Sequence, residues 1–278
     1  MRPTARSVLT ACVLVVLLGA ARFAGCSDQH GARSLADDDH TVEIVATYPH
    51  DPGAFTQGLL WHDGFFYEST GLYGESRLRR VEPTTGRVLA ETRLADHYFG
   101  EGLALLDRRL YQLTWRAGIG FIYDLDSLNE VGRFEYRGEG WGLTSDGELL
   151  ILSDGSEVLR FLEPTSRNVV REVVVSENGR PVRGLNELEH VDGEIYANVW
   201  RTTSIVRIDS QSGQVRGRIE LASLAPASKP RAAGDVANGI AWDPGARRLF
   251  VTGKRWPTLF EVRLVVQPKA TKHPSGSD

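Results

Sequence analysis

The sequence contains very little cysteine. Among its 278 residues only Cys12 and Cys26 occur, and Cys12 lies inside an apolar run that signal peptidase would remove. A disulfide framework and a catalytic thiol are therefore excluded for the folded part of the chain. Packing of the hydrophobic residues, which make up 41% of the chain, has to provide the stability instead.

The sequence also lacks an excess of positive charge and the motifs of several enzyme classes. The formal net charge is -4, so there is no basic excess to hold a nucleic-acid backbone. The seven histidines form no His-x-x-x-His pair, and no Gly-x-Ser-x-Gly elbow for a serine nucleophile occurs. The Gly118-Ile119-Gly120 segment has no helix after it, so it does not resemble a phosphate-binding loop.

The first 26 residues differ in composition from the rest. Two arginines precede an apolar run over residues 8–18, which is too short to span a bilayer. The pattern predicts a signal peptide over 1–26 and export to the periplasm or the medium. Residues 23–26 (Phe-Ala-Gly-Cys) resemble a bacterial lipobox. Two processing routes stay open, namely lipid attachment at Cys26 and cleavage near the Ala20-Ala21 pair.

Helical periodicity is almost absent from the remaining sequence. Over residues 41–266, short runs of Val, Leu, Ile, Phe and Tyr alternate with clusters of Gly, Asp, Pro and Ser. This pattern predicts an all-β domain. The polar residues 27–40 before it are predicted to be a flexible linker, and residues 267–278 after it a disordered tail.

The predicted strands belong to an internal repeat. Each copy has a polar or aromatic residue, a small residue, an apolar run, a turn and a second apolar run. The copies are FTQGLLWHDGFFYEST (55–70), FGEGLALLDRRLYQLTW (99–115), GWGLTSDGELLILSD (140–154), LNELEHVDGEIYANVW (185–200) and ANGIAWDPGARRLFVTGK (237–254). Their spacings of 44, 40, 45 and 52 residues, measured at Gly58, Gly102, Gly142, Glu187 and Gly239, are typical of β-propeller blades.

Five copies predict a five-bladed β-propeller. The fifth copy lacks an outer strand, whereas the segment 41–48 (TVEIVATY) resembles the outer strands of the other copies and has no hairpin before it. We therefore expect the N-terminal strand to complete the last blade and close the ring. A closed ring leaves no sheet edge that has to pair, and a monomer is expected.

Two positions of the repeat are candidates for a functional site, because innermost strands bring one residue per blade to the central channel. Just before the spacing marks stand Gln57, Glu101, Trp141, Asn186 and Asn238, and at the end of the following strand stand Gly71, Trp115, Asp154, Trp200 and Lys254. A structural repeat would tend to keep one residue type. This mixture of tryptophan with a few polar groups predicts a ligand pocket.

Structural roles compete with functional ones in these positions. Asn238 is predicted to cross-link blades by hydrogen bonds, and the nearby Glu189 to be a solvated carboxylate. The tryptophans could simply fill the inner wall, and Lys254 could be an exposed lysine at a strand end. Glu101, the one carboxylate in the first of the two positions, is the preferred catalytic candidate.

At these residues the sequence resembles a known family, the plant and bacterial type of glutaminyl-peptide cyclotransferase. Seven motifs carry the resemblance in order, over about residues 42–265. They are Phe-Thr-Gln-Gly-Leu (55–59), Phe-Gly-Glu-Gly (99–102), Leu-Thr-Trp (113–115), Gly-Trp-Gly-Leu (140–143), Leu-Asn-Glu-Leu-Glu (185–189), Ala-Asn-Val-Trp (197–200) and Gly-Lys-Arg-Trp-Pro (253–257).

The resemblance implies a five-bladed propeller that converts N-terminal glutamine of peptides or proteins to pyroglutamate and releases ammonia, without a cofactor or metal. It places the catalytic general acid and base at Glu101. It further implies substrate-binding roles for Phe55, Gln57, Phe99, Trp115, Trp141, Asn186, Trp200 and Lys254. An indole N–H, the Asn186 amide or Lys254 is expected to stabilise the oxyanion.

Two other classes of protein stay open from the residues alone. A calcium-dependent propeller hydrolase, such as a lactonase, could use oxygen atoms of Glu101, Asp154, Asn186 and Asn238 as ligands. A non-enzymatic propeller would bind a peptide or a sugar without turnover. The insertion at 225–236 is either an inert surface loop, which we prefer, or a lid or specificity element.

Overall fold

The computed structural model describes residues 38–224 and 234–267, and these form an almost entirely β structure. The predicted signal peptide, most of the predicted linker and nearly all of the predicted tail lie outside the described residues. Within the described ranges, no helix is long and apolar enough to cross a membrane.

The strands follow one another with short connections. The first is β1 (His40–Pro49). Four strands then form the first sheet, β2 (Thr56–His62), β3 (Phe65–Thr70), β4 (Arg77–Val81) and β5 (Val88–Arg93). The second sheet consists of β6 (Gly100–Leu106), β7 (Arg109–Thr114), β8 (Ile119–Asp124) and β9 (Glu130–Glu135). The third consists of β10 (Leu143–Ser145), β11 (Leu150–Leu152), β12 (Val158–Leu162) and β13 (Val169–Val174).

A two-stranded ribbon and an eight-stranded sheet complete the structure. The ribbon pairs β14 (Ser176–Glu177) with β15 (Arg180–Pro181). Then come β16 (Leu185–Val191), β17 (Glu194–Val199), β18 (Ser204–Asp209), β19 (Val215–Glu220), a 3-10 turn at Ala222–Leu224, β20 (Ala237–Asp243), β21 (Arg248–Gly253) and β22 (Thr258–Val266). The order in this sheet is β16-β17-β18-β19-β1-β22-β21-β20.

The eight-stranded sheet contains the predicted pairing of the two chain ends. β1 runs antiparallel to β22 from His40↔Val266 to Pro49↔Thr258, with a bulge between Ile44 and Ala46. Its parallel contact with β19 is limited to two residue pairs at its start. The expectation that the N-terminal strand adds to the strands of the last repeat is confirmed.

The first strand of each repeat lies innermost and contacts its neighbours. β2 contacts β6, β6 contacts β10, β10 contacts β16, β16 contacts β20, and β20 returns to β2. These strands are mostly buried, whereas most residues of β5 and β9, at the opposite sheet edges, are exposed or partly buried. The all-β prediction and the propeller-like arrangement of inner strands are confirmed.

Close approach of the inner strands explains the glycines of the repeat. A Cβ at Gly102 would clash with the Leu143 amide nitrogen, and one at Gly142 would clash with the Asn186 carbonyl oxygen. In the fourth copy, Glu187 replaces the glycine. Its carboxylate oxygens accept hydrogen bonds from the backbone N–H of Leu59 (3.2 Å) and of Ile240 (2.9 Å). Glu187 therefore links strands of three repeats.

The core fills the space between adjacent sheets. One cluster joins Leu60 and Tyr67 of the first sheet to Leu103 and Phe121 of the second. Similar clusters join the second sheet to the third, and the first sheet to β20 and β21. Buried apolar area of this kind stabilises the fold, as expected for a domain without disulfides.

Candidate active site

The innermost strands surround a cavity of about 650 Å³. All nine residues predicted for the site line this cavity, and they come from all five repeats. They are Phe55, Gln57, Phe99, Glu101, Trp115, Trp141, Asn186, Trp200 and Lys254. The cavity is therefore mainly aromatic and contains few polar groups, as is typical of a small-ligand site.

Glu101 is the second residue of β6 and is almost completely buried, with 5% of its surface exposed. Its Oε1 accepts a hydrogen bond of 3.1 Å from the Gln57 amide nitrogen. Burial raises the pKa of Glu101 well above the ordinary value of a glutamate, because an apolar environment disfavours the charged form. Lys254 opposes this rise in pKa, and Glu139 adds to it.

Lys254 faces the same cavity from the end of β21. Only 5% of it is exposed, so the alternative interpretation as an exposed lysine is wrong. Burial lowers the pKa of Lys254 to about 8, although the attraction of Glu101 works against that decrease. The Lys254 ammonium lies 4.8 Å from the centroid of the Phe55 ring, a distance at which a cation and an aromatic face attract.

The aromatic rings of the cavity pack against one another at interplanar angles between 60° and 87°. Phe55 contacts Phe99 at 6.2 Å between ring centroids, and Phe99 contacts Trp115 at 5.5 Å. On another part of the wall, Trp141 and Trp200 form a T-shaped pair at 5.4 Å. Trp200 is 40% exposed and therefore lies at the opening to solvent. These contacts give the cavity stiff apolar walls.

Small residues and a structural amide support the walls. Gly71 leaves room for Phe99, because a Cβ at this position would clash with the Phe99 ring. Asn238 donates hydrogen bonds to the Thr56 carbonyl oxygen (2.9 Å) and to Gln57 Oε1 (3.2 Å). The predicted cross-linking role of Asn238 is confirmed, and through it the Gln57 amide is oriented to donate to Glu101.

Sequence reasoning missed Leu72 and Arg201, which line the cavity, and Glu139, which supports two of its walls. Glu139 lies in the loop between β9 and β10, and its Oε2 accepts hydrogen bonds from the indole N–H of Trp115 (2.7 Å) and of Trp141 (2.9 Å). Neither indole N–H is then available to an oxyanion, so this part of the expectation is wrong for Trp115 and Trp141. No local pattern reveals this link, since 24 residues separate Trp115 from Glu139.

Two further expectations are corrected. Glu189 is not a solvated carboxylate, because it accepts hydrogen bonds from the Trp242 backbone N–H (2.8 Å) and the Thr144 hydroxyl (3.4 Å). Burial raises the pKa of Glu189 to about 8. Asp154 does not line the cavity, because its carboxylate pairs with Arg160 at 2.5 Å and with the Ser156 hydroxyl at 2.5 Å.

These contacts also bear on the alternative of a calcium site. Asp154 is engaged by Arg160, so the four proposed ligands are not brought together as one set of oxygens. Residues 38–224 and 234–267 contain no group of three or more His, Cys, Asp or Glu side chains that could hold a metal ion. Of the insertion at 225–236, residues 225–233 lie outside the described residues, whereas Gly234 and Val236 line the cavity.

The fold and the site together define a class of protein, an all-β propeller-like enzyme with a buried carboxyl group in an aromatic pocket. The model of the glutamine cyclotransferase family matches residues 16–264. A glutaminyl-peptide cyclotransferase of Arabidopsis thaliana is 45% identical over 227 residues, which cover 80% of this chain and 71% of the plant protein. The chain belongs to the glutamine cyclotransferase family.

A solved structure supports the same assignment. The glutaminyl cyclase of Myxococcus xanthus is 40% identical and superposes with a TM-score of 0.79. The match covers 83% of this chain and 99% of the Myxococcus protein. The family resemblance noted from the seven motifs is confirmed.

Proposed function

We propose that this protein is a glutaminyl-peptide cyclotransferase in which Glu101 moves the proton. It acts on peptides and proteins that begin with glutamine, forming pyroglutamate and ammonia. Family membership supports the reaction. The observation that carries the role of Glu101 is a buried carboxyl group, oriented by Gln57, in a cavity walled by five aromatic side chains.

The reaction joins two groups of one residue. The α-amine nitrogen of the substrate attacks the carbonyl carbon of its own side-chain amide, and a C–N bond forms. Glu101 accepts a proton from the attacking nitrogen and returns it to the nitrogen of the side-chain amide. The original C–N bond of that amide then breaks, and the nitrogen leaves as ammonia. One carboxyl group suffices for both transfers, and a raised pKa makes its ionised form a stronger base towards the attacking amine.

Positioning supplies much of the remaining acceleration. The α-amine of the substrate must meet the side-chain carbonyl carbon of the same glutamine residue, and few conformations of a free peptide bring the two together. A pocket that holds the side chain folded towards the amine selects such a conformation in the bound state. The stiff aromatic walls suit that task. Asn186 and Lys254 line the same cavity and are the groups we assign to the developing oxyanion.

We also assign the finer architecture that this role needs. The five inner strands and the hairpins behind them form five blades, with β1 completing the last one. The propeller acts as a monomer. Residues 1–26 direct export to the periplasm or the medium, with Cys26 as the candidate lipid attachment site.

Mass spectrometry of a Gln-initiated peptide tests the function. Incubation with the purified protein should remove one molecule of ammonia, while a matched peptide with glutamine at its second position should stay unchanged. Activity of the same preparation should survive a chelator, because no step uses a metal. Tight peptide binding without loss of ammonia would instead identify a binding protein, and loss of activity in chelator would favour the calcium-dependent alternative.

A further inference from the structure

Glu139 occupies a place that the reaction scheme leaves unexplained. Its Oε2 accepts hydrogen bonds from the indole nitrogens of Trp115 and Trp141, two walls of the cavity that come from adjacent sheets. Trp115 follows β7, and Trp141 precedes β10. A single oxygen atom therefore couples the orientations of two rings.

The other side of Glu139 is also engaged. Its Oε1 accepts a hydrogen bond of 2.9 Å from the Arg116 guanidinium, which stacks over the Trp115 ring at 3.8 Å from the centroid. The backbone N–H of Gly140 donates to the Trp115 carbonyl oxygen at 2.9 Å and holds the loop of Glu139 beside Trp115. Burial alone would raise the pKa of Glu139, but the hydrogen bonds from Trp141, Arg116 and Trp115 outweigh it and lower this pKa. Glu139 is therefore an ionised acceptor at neutral pH.

The contacts of the two indoles differ from those of a solvated surface pair. An indole has one polar hydrogen, and once that hydrogen is given to Glu139 the ring offers only carbon atoms and its π face to the cavity. Without this acceptor, only ring packing against Phe99 and Trp200 would fix the orientations of the two indoles. The two hydrogen bonds to Glu139 therefore add to ring packing in setting the orientations of two cavity walls.

We propose that Glu139 is a positioning residue for cyclisation, which fixes the Trp115 and Trp141 rings against which the glutamine side chain folds. The inference rests on the proposed use of this cavity for glutamine. Glu139 makes no hydrogen bond to Glu101. Its charge adds to the rise in the pKa of Glu101, and its positioning role operates through the two rings. A displacement of about 1 Å in such walls can cost about 100-fold in rate.

Three variants of the full chain separate the acceptor from the charge. Glu139→Ala removes both, Glu139→Asp shortens the acceptor, and Glu139→Gln keeps an amide oxygen that can accept two N–H groups but removes the charge. Glu130→Ala is the matched control, because Glu130 forms an exposed ion pair with Arg133 at 2.5 Å outside the cavity.

Two readouts are compared on ¹⁵N-labelled protein with a Gln-initiated peptide as substrate. In Glu139→Ala, two of the six indole N–H resonances should move, and kcat/KM should fall about 10- to 100-fold, mainly through kcat. Glu139→Gln should keep both resonances near their native positions and kcat/KM within about a factor of three, since the two hydrogen bonds persist. Glu130→Ala should match the native protein.

Several results would overturn the inference. Unmoved indole resonances in Glu139→Ala would show that Glu139 does not fix the two rings. Moved resonances with a native kcat/KM would show that the orientation of the rings does not affect catalysis. If Glu139→Gln were as slow as Glu139→Ala, the loss of rate would come from the missing charge and not from the missing hydrogen-bond acceptor. If Glu139→Ala does not fold, Glu139→Asp should still show moved indole resonances and reduced kcat. No turnover by the native protein would reject the proposed function. The resonances report on the hydrogen bonds between Glu139 and the two indoles independently of that function.

Discussion

Replacing Glu101 by glutamine should stabilise the protein at neutral pH while it abolishes activity. A carboxyl group whose pKa is raised in the folded state prefers to be protonated there, and an unfolded chain ionises it freely above about pH 4. Folding at neutral pH therefore carries a free-energy cost. Glutamine has nearly the same shape, can accept the Gln57 hydrogen bond and has no charge to bury.

The size of the gain follows from two opposing terms. Burying an unpaired charge costs several kcal/mol, and the attraction of Lys254 offsets part of that cost in the native protein. We expect Glu101→Gln to increase the free energy of unfolding by about 1–3 kcal/mol at neutral pH. For a domain of this size that corresponds to a rise in Tm of about 2–12 °C.

The sign of the pH dependence makes the test specific. The difference in unfolding free energy between variant and native protein should be near zero at about pH 4, where the carboxyl group is mostly protonated in both states. It should grow as the pH rises from there towards the raised pKa of Glu101, and it should become constant above that pKa. Burial also raises the pKa values of Glu187 and Glu189, but both residues are present in both proteins, so their contributions cancel. Urea unfolding from pH 4.5 to 8 measures the difference. A variant less stable than the native protein at pH 7, or a gain independent of pH, would refute the reasoning.

Three further perturbations test other parts of the site. Lys254→Met removes the cation that opposes the rise in the pKa of Glu101, so the acid limb of the pH profile of kcat/KM should move to higher pH. An unmoved acid limb would contradict the attraction between Lys254 and Glu101. Gly71→Ala should push the Phe99 ring into the cavity, raise KM about tenfold and lower the free energy of unfolding by about 1–3 kcal/mol; an unchanged KM would argue against the cavity as the substrate site. Glu187→Ala should leave two buried backbone N–H groups unpaired and lower the free energy of unfolding by about 2–5 kcal/mol, as measured by urea unfolding. A decrease below about 1 kcal/mol would contradict the proposal that Glu187 links the repeats.

Local sequence patterns predicted the elements and the inward-facing residues. A hairpin such as β2–β3 is specified by its own apolar alternation and by the turn between its strands, so its position could be read directly from the sequence. Repetition then aligned equivalent positions, and residues from distant segments, such as Gln57 and Glu101, could be placed in one cavity without any knowledge of their contacts.

Contacts between repeats could not be predicted in the same way. Whether Glu189 is solvated depends on the backbone of β20, which approaches it from another repeat and supplies the Trp242 N–H. The partner of Glu139 likewise depends on how two sheets are placed relative to each other. The position of Asp154 in the repeat predicted that it would line the cavity. Its carboxylate instead pairs with Arg160 on β12, a contact that the repeat pattern does not reveal.

The central claim is that Glu101 carries the proton from the attacking amine to the departing ammonia. The most direct measurement is the rate of ammonia release from a Gln-initiated peptide by the native protein and by Glu101→Gln, with folding of the variant verified by its unfolding curve. We expect release by the native protein and a decrease of about 100- to 10,000-fold in the variant. Ammonia release by a folded Glu101→Gln protein at nearly the native rate would contradict the account.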